Sequence, residues 1–198
     1  MEVIGITGGV GCGKSAILCE LEKNLNCIVL RADEAAMELE KKGGACYFSL
    51  VDLLGKDVLS QDGEIDRIKM ASLVFDNDDL LKKVNDIVHP AVKEYILEKI
   101  KYYRDCGDVD FFFLEAALLI ECGYNSIVDQ MWYIFANKEV RIKRLRESRN
   151  YSDQKIEAIM NSQLSEEQFR ANSDFVIDNS NSLEDSIKQI YKRVNHER

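Results

Sequence analysis

The sequence predicts an α/β fold: a five-stranded parallel sheet flanked by helices, with an inserted helical lobe and a small helical lid. Three observations carry this. Five short, continuous apolar runs alternate with stretches of helical spacing, as in a parallel sheet covered on both faces. A glycine-rich stretch, GGVGCGKS at 8–15, separates the first apolar run from the first helical one. The interval from Glu34 to Asp108 is several times longer than the roughly dozen residues a strand–helix–strand crossover needs.

The strands are EVIGIT (2–7), CIVLRAD (27–33), VDFFFLEA (109–116), DQMWYIFA (129–136) and SDFVIDN (173–179). They are rich in Val, Ile, Phe and Tyr and do not alternate cleanly, so both faces should be covered. A helix is expected from Lys14 to about Leu25. The long interval reads as helices over about 34–42, 46–54, 66–75, 78–88 and 90–105, the last restarting at Pro90, the single proline. A helical pair spans about 138–169. The expected division is a core of 1–33, 109–137 and 170–198, a lobe of 34–108 and a lid of 138–169.

Composition narrows the function classes. A chain of 198 residues supports one sizeable core, and 46% apolar with 31% charged residues fits a folded globular protein. No apolar run approaches a membrane span, and MEVIGITGG lacks the basic region of a signal peptide. The six cysteines, at 12, 19, 27, 46, 106 and 122, form no C-x-x-C pair, and only two histidines are present. Neither a zinc site nor a disulfide framework is expected, and reduced thiols in a cytoplasmic setting follow. A net charge of −9 argues against a duplex-binding surface. No nucleic-acid or membrane partner is expected, and the chain is read as a monomer.

GGVGCGKS contains G-x-x-x-x-G-K-S, spelled by Gly8, Gly13, Lys14 and Ser15. It follows a strand and opens a helix, the context that marks the phosphate loop of a P-loop NTPase core. Glycines let successive backbone N–H groups converge on phosphates, and the helix N-terminus adds partial positive charge. The residues expected at the nucleotide are Gly9, Val10, Gly11, Cys12, Gly13, Lys14, Ser15 and Ala16. Lys14 should reach the β and γ phosphates of ATP, and the Ser15 hydroxyl should hold Mg2+. Cys12 reads as a small residue that fits the turn. The alternative is a thiol acidified by Lys14 and the helix terminus, which ATP would protect from alkylation.

A phosphate loop alone does not separate a switch from a kinase. Asp52-Leu53-Leu54-Gly55 matches D-x-x-G but follows a helical stretch, and NKEV at 137–140 puts Val140 where guanine recognition needs a carboxylate. A small-molecule kinase needs an acceptor carboxylate, an acceptor lobe and an arginine-bearing lid. Asp33, ending VLRAD, stands at the strand edge where open parallel sheets bind ligands. By position it is either that carboxylate or the N-cap of the next helix. Glu115, ending FFFLE, is the candidate acid for the metal. Glu121, ending LLIE, is a further acid or an ordinary exposed helix residue. The lid candidate VRIKRLRESRN gathers Arg141, Lys143, Arg144, Arg146 and Arg149, of which about two should touch phosphate, as arginines assist phosphoryl transfer. Arg141 and Arg144 share one face, and Arg149 should turn toward the protein with Ile142 and Leu145.

Taken in order, these motifs resemble the dephospho-CoA kinase family over nearly the whole chain. The matching pieces are TGGVGCGKS, the strand end Arg31-Ala32-Asp33, LGKDVLSQDGEIDR (54–67), His89-Pro90, Ala117-Leu118-Leu119-Ile120-Glu121, the arginine-rich lid and Val176-Ile177-Asp178-Asn179. The resemblance implies transfer of the γ-phosphoryl group of ATP to the ribose 3′-hydroxyl of dephospho-CoA, the last step of coenzyme A biosynthesis. It implies Asp33 as catalytic base, with Lys14 and Arg144 at the transferring group and Arg141, Arg149 and Asn179 at ATP. It places Arg67, His89, Leu118, Leu119 and Glu121 toward dephospho-CoA, and Ser15 and Glu115 at Mg2+. Three positions depart from the family pattern: Arg31 replaces an acid, Ala117 a proline and Ala16 a frequent threonine. Another small-molecule kinase would share the loop, acid and lid, and a non-catalytic regulator would bind nucleotide without transfer.

Overall fold

The structure, a computed structural model, describes residues 1–196, with side chains through Val194. Five strands form one sheet: β1 (Glu2–Thr7), β2 (Cys27–Arg31), β3 (Phe111–Glu115), β4 (Gln130–Phe135) and β5 (Phe175–Asp178), in the order β2-β3-β1-β4-β5. β1 runs parallel to β3 and to β4, and β4 to β5. Nine helices are described: α1 (Lys14–Asn24), α2 (Ala32–Glu40), α3 (Tyr47–Leu54), α4 (Arg67–Val74), α5 (Asp78–Cys106), α6 (Lys138–Arg149), α7 (Asp153–Asn161), α8 (Glu166–Ala171) and α9 (Leu183–His196).

β1 is central, and Val3, Ile4 and Ile6 are wholly buried, as its unbroken apolar run requires. One face packs Ile4, Phe113, Trp132 and Ile177 against Ile17, Leu18 and Leu21 of α1 and Ile187, Ile190 and Val194 of α9. Phe113 of β3, Trp132 of β4 and Phe175 of β5 form a row over the sheet with ring centroids 5.9 and 5.4 Å apart. Tilted and edge-on contacts of this kind add to the area term.

The chain divides into two compact units, one of Met1–Val29 with the chain from Tyr103 on, the other Leu30–Tyr102. In the second unit, α5 presents Val84, Val88, Val92, Ile96 and Ile100 as one buried stripe at four-residue spacing. The DGEIDR segment makes a turn with Gly63 at φ 83°, closed by a Leu59–Ile65 bridge. Asp66 then caps α4 by accepting from the N–H groups of Ile68 and Lys69.

Three local expectations need correction. Helix α5 does not restart at Pro90 but runs through it. His89, Pro90 and Asp86, whose carbonyl the proline leaves without a donor, are all exposed, so water meets that carbonyl while the buried stripe continues. Strand β2 ends at Arg31, and Asp33 is the second residue of α2. The N-cap is Arg31, without a side-chain cap bond, so Asp33 is not the cap. The 138–169 stretch holds α6, α7 and the start of α8, three helices in place of a pair.

Candidate functional site

The site is built where β1 ends and α1 begins, and its parts described here belong to the unit that contains the sheet. Gly13 is the N-cap of α1 at φ 94°, with no side-chain cap and no acid in the first turn. The first N–H groups of the helix are therefore left for an anion. A side chain at Gly13 would meet the Asn179 amide as well as adopt a disfavoured φ. Cys12 is 1% exposed and packs into the core beneath the loop, as a small residue that fits should.

Lys14 donates through Nζ to the Gly8 carbonyl oxygen at 2.7 Å and lies 3.8 Å from Glu115 Oε1. Both side chains are largely buried, at 14% and 17% exposed, so water screens the pair only partly. Glu115 ends β3, in register with Ile6 of β1, and the sheet itself brings the acid to the loop.

Two lid arginines reach the same loop. Arg141 donates through Nε to the Val10 carbonyl at 2.8 Å, and its guanidinium lies so close to Gly9 that a Cβ there would overlap it. Arg144 donates through Nη1 to the Cys12 carbonyl at 3.2 Å and through Nη2 to the Asn179 carbonyl at 2.9 Å. Asn179, 2% exposed, donates through Nδ2 to the Cys12 carbonyl at 2.7 Å and accepts from Ser186 Oγ at 2.8 Å. Burial, and then the Glu166 carboxylate, push the Tyr133 phenol in β4 up to about 12, so it stays neutral.

Gln163 and Ser186 belong to this network and were absent from the sequence reading. Gln163 accepts through Oε1 from Val10 N–H at 3.0 Å and from Arg141 Nη2 at 2.9 Å. Its sequence surroundings carry no signal. Ser186 carries one: a serine adjoining the apolar positions Ile187, Ile190 and Val194, and the structure buries it fully.

Two other expectations change. Arg149 does not turn toward the protein: it is exposed in the last turn of α6, with its guanidinium 6.0 Å from the Tyr151 ring centre. The helix stops at Asn150 in a left-handed conformation, so no further turn packs over it. Leu119 is wholly buried in the core beside Gly5 and presents no surface to a ligand, whereas Leu118 and Glu121 are exposed in the turns after β3.

In the unit Leu30–Tyr102, Asp33 is exposed and its carboxylate has no partner among the described residues. Arg67 opens α4 with Nε 3.3 Å from Oε2 of Glu40, and the two help line a cavity of about 840 Å³ with Ile68, Met70, Phe75 and Val88. Burial holds the Glu40 carboxyl above the usual range, against the opposing pull of Arg67. His89 is exposed on α5 and does not line that cavity.

A loop of this build, with a buried lysine–acid pair and two arginines drawn to it, suits a transferable phosphoryl group. The family model for dephospho-CoA kinase matches residues 2–185. The chain belongs to the dephospho-CoA kinase family. A curated dephospho-CoA kinase of Carboxydothermus hydrogenoformans is 35% identical over 190 residues, covering 96% of this chain and 91% of that protein. A solved dephospho-CoA kinase from Campylobacter jejuni superposes with a TM-score of 0.73 at 25% identity, covering 98% and 96% of the two chains. A Thermus thermophilus crystal structure gives a TM-score of 0.83 at 28% identity, covering 99% of this chain and 97% of that one. Dephospho-CoA kinases are ATP-dependent kinases with an alcohol acceptor, and theirs is the last step of coenzyme A synthesis. Among the described residues no helix is long and apolar enough to cross a membrane.

Proposed function

We propose that this chain transfers the γ-phosphoryl group of ATP to the ribose 3′-hydroxyl of dephospho-CoA, with its residues in the following roles. The loop from Gly9 to Ala16 seats the ATP phosphates, with Lys14 at the group in transit. Arg141 and Arg144 supply positive charge there, and Asn179 braces the loop at the nucleotide. Arg149 joins them only if its exposed side chain swings in when ATP binds. Asp33 accepts the proton of the attacking hydroxyl, and its unpaired, exposed carboxylate suits that task. Arg67, His89, Leu118 and Glu121 are assigned to the acceptor by their motif positions.

The exposed Ser15 hydroxyl and the Glu115 carboxylate are hard oxygen donors, and no cluster of three ligating side chains occurs among the described residues. That donor set fits Mg2+, which takes one or two protein oxygens and completes its shell with phosphate and water. Ser15 and Glu115 would hold the ion, which neutralises phosphate charge when bound. A cytoplasmic, monomeric enzyme with 34–108 as the acceptor lobe and 138–169 as the lid completes this reading.

The observation that carries it is the Lys14–Glu115 pair under a loop that Arg141 and Arg144 both reach. The test is ADP release with ATP, Mg2+ and dephospho-CoA, beside adenosine, AMP and no-acceptor controls. Release that depends on dephospho-CoA is expected. Release only with AMP would favour a nucleoside-monophosphate kinase, and none with any acceptor a non-catalytic nucleotide binder. Asp33→Asn should lower kcat by about 10²–10⁴-fold with ATP affinity kept, and a variant with near-normal kcat would remove the base role.

A further inference from the structure

Gln163 has no role in the reaction as described, yet its side-chain oxygen is held by two donors from different elements. Val10 N–H and Arg141 Nη2 converge on Oε1 at 3.0 and 2.9 Å. Arg141 Nε returns to the Val10 carbonyl at 2.8 Å. The three bonds close a ring: loop N–H to glutamine, arginine to glutamine, arginine to loop carbonyl. Residue Val10 is thus gripped on both its backbone polar groups, and the Arg141 guanidinium is laid over Gly9.

We propose that Gln163 is a positioning residue for phosphoryl transfer, whose side-chain oxygen sets the orientation of Arg141 against the phosphate loop. This rests on the reading that the loop seats ATP. A free arginine samples many rotamers, and an arginine fixed before substrate arrives loses less entropy on gripping it. The acceptor that fixes it must also be neutral. A carboxylate at 163 would make the same bonds but pair with the guanidinium and set a negative charge beside the phosphates. A glutamine carbonyl orients Arg141 and leaves its positive charge for the phosphoryl group. The Nη1 atom of Arg141 has no protein partner among the described residues and remains to be spent on ligand.

The test is a double-mutant cycle on full-length enzyme. Gln163→Met keeps the reach of the side chain and removes the acceptor. kcat/KM for ATP should fall about tenfold, the scale of one hydrogen bond to a charged group, with KM for dephospho-CoA and the melting temperature unchanged. In an Arg141→Met background the same change should cost less than about twofold, because the arginine it serves is gone. An equal loss in both backgrounds would mean that Gln163 acts by itself, and no loss in the parent background would mean that it does not act; either overturns the proposal. If Gln163→Met melts early, Gln163→Asn, which shortens the reach, gives the same comparison. Calorimetry of the parent protein with ATP checks the underlying reading separately: absence of binding would bring that down, and this proposal with it.

Discussion

The side-chain amide of Asn179 donates to the carbonyl oxygen of Cys12 at 2.7 Å, joining the end of β5 to the phosphate loop across 167 positions of chain. Both groups are buried, and Arg144 bonds the carbonyls of the same two residues. Asn179→Ala strips this carbonyl of its best donor and leaves Ser186 Oγ without its acceptor at Oδ1. Arg144 still donates to Cys12, and Ser186 Oγ still reaches the Asp178 and Ser182 carbonyls at 3.2 Å, so the loss is that of the two hydrogen bonds, about 0.5–1.5 kcal/mol each. We expect Asn179→Ala to lower the melting temperature and raise KM for ATP. Asn179→Asp should behave no better, since a carboxylate cannot donate to Cys12. Equal stability and KM in all three proteins, by calorimetry and steady-state kinetics, would show that the brace is idle.

Lys14 stands between the Gly8 carbonyl and Glu115. Replacing it with Met keeps the aliphatic stem but removes the charge. Loss of one donor aimed at developing charge costs about 10²–10³-fold in kcat, so Lys14→Met should reach that range. Stability should fall as well, because the largely buried Glu115 carboxylate loses a nearby positive charge. An unchanged kcat/KM for ATP would remove Lys14 from the transferring group.

Glu40 is 6% exposed and its carboxyl titrates above the ordinary 4.5, held up by burial and drawn back by Arg67. A carboxyl whose folded pKa exceeds its unfolded one binds more protons when folded. Its contribution is therefore favourable in acid and is lost as pH rises from the unfolded value through the folded one. Glu40→Gln should remove that fall: between about pH 4.5 and neutrality the variant's stability, relative to the parent, should rise with pH. Urea unfolding across that window measures it. A constant difference at every pH would mean that Glu40 titrates alike in both states.

The strand–loop–helix around GGVGCGKS was legible because its determinants are local: an apolar run, glycines and a helix start within a short stretch of chain. The strands were legible because a doubly covered sheet leaves unbroken apolar runs. What stayed hidden was tertiary. Gln163 meets Val10 across 153 positions, and nothing near residue 163 announces it. The motif points Leu119 toward a ligand, yet the sheet core takes it, while Leu118 beside it is 51% exposed. Arg149 has the right helical phase, but the helix ends there, so phase no longer decides where its side chain goes. Asp33 looks like a strand end in the sequence because a short apolar run cannot show where extended backbone gives way to helix.

Pro90, which the sequence places at a helix start and the structure places inside α5, gives a direct test of how tertiary burial overrides a local signal. It sits inside α5 on the solvent side, with buried Val88 and Val92 flanking it. The helix continues because the Val84–Ile100 stripe is buried on one face and the proline falls on the other. Proline in a helix interior is disfavoured by about 3 kcal/mol relative to alanine, whereas it also restricts the unfolded chain by roughly 0.4–1 kcal/mol. Pro90→Ala restores an N–H donor to the Asp86 carbonyl and should stabilise the protein by about 2–2.6 kcal/mol, the difference of these two effects. Hydrogen exchange should show stronger protection in the turn containing Pro90, and thermal unfolding should move upward. A fall in stability would instead mean that the helix is bent at Pro90 to seat its valines, and that straightening it costs more in packing than the new hydrogen bond returns.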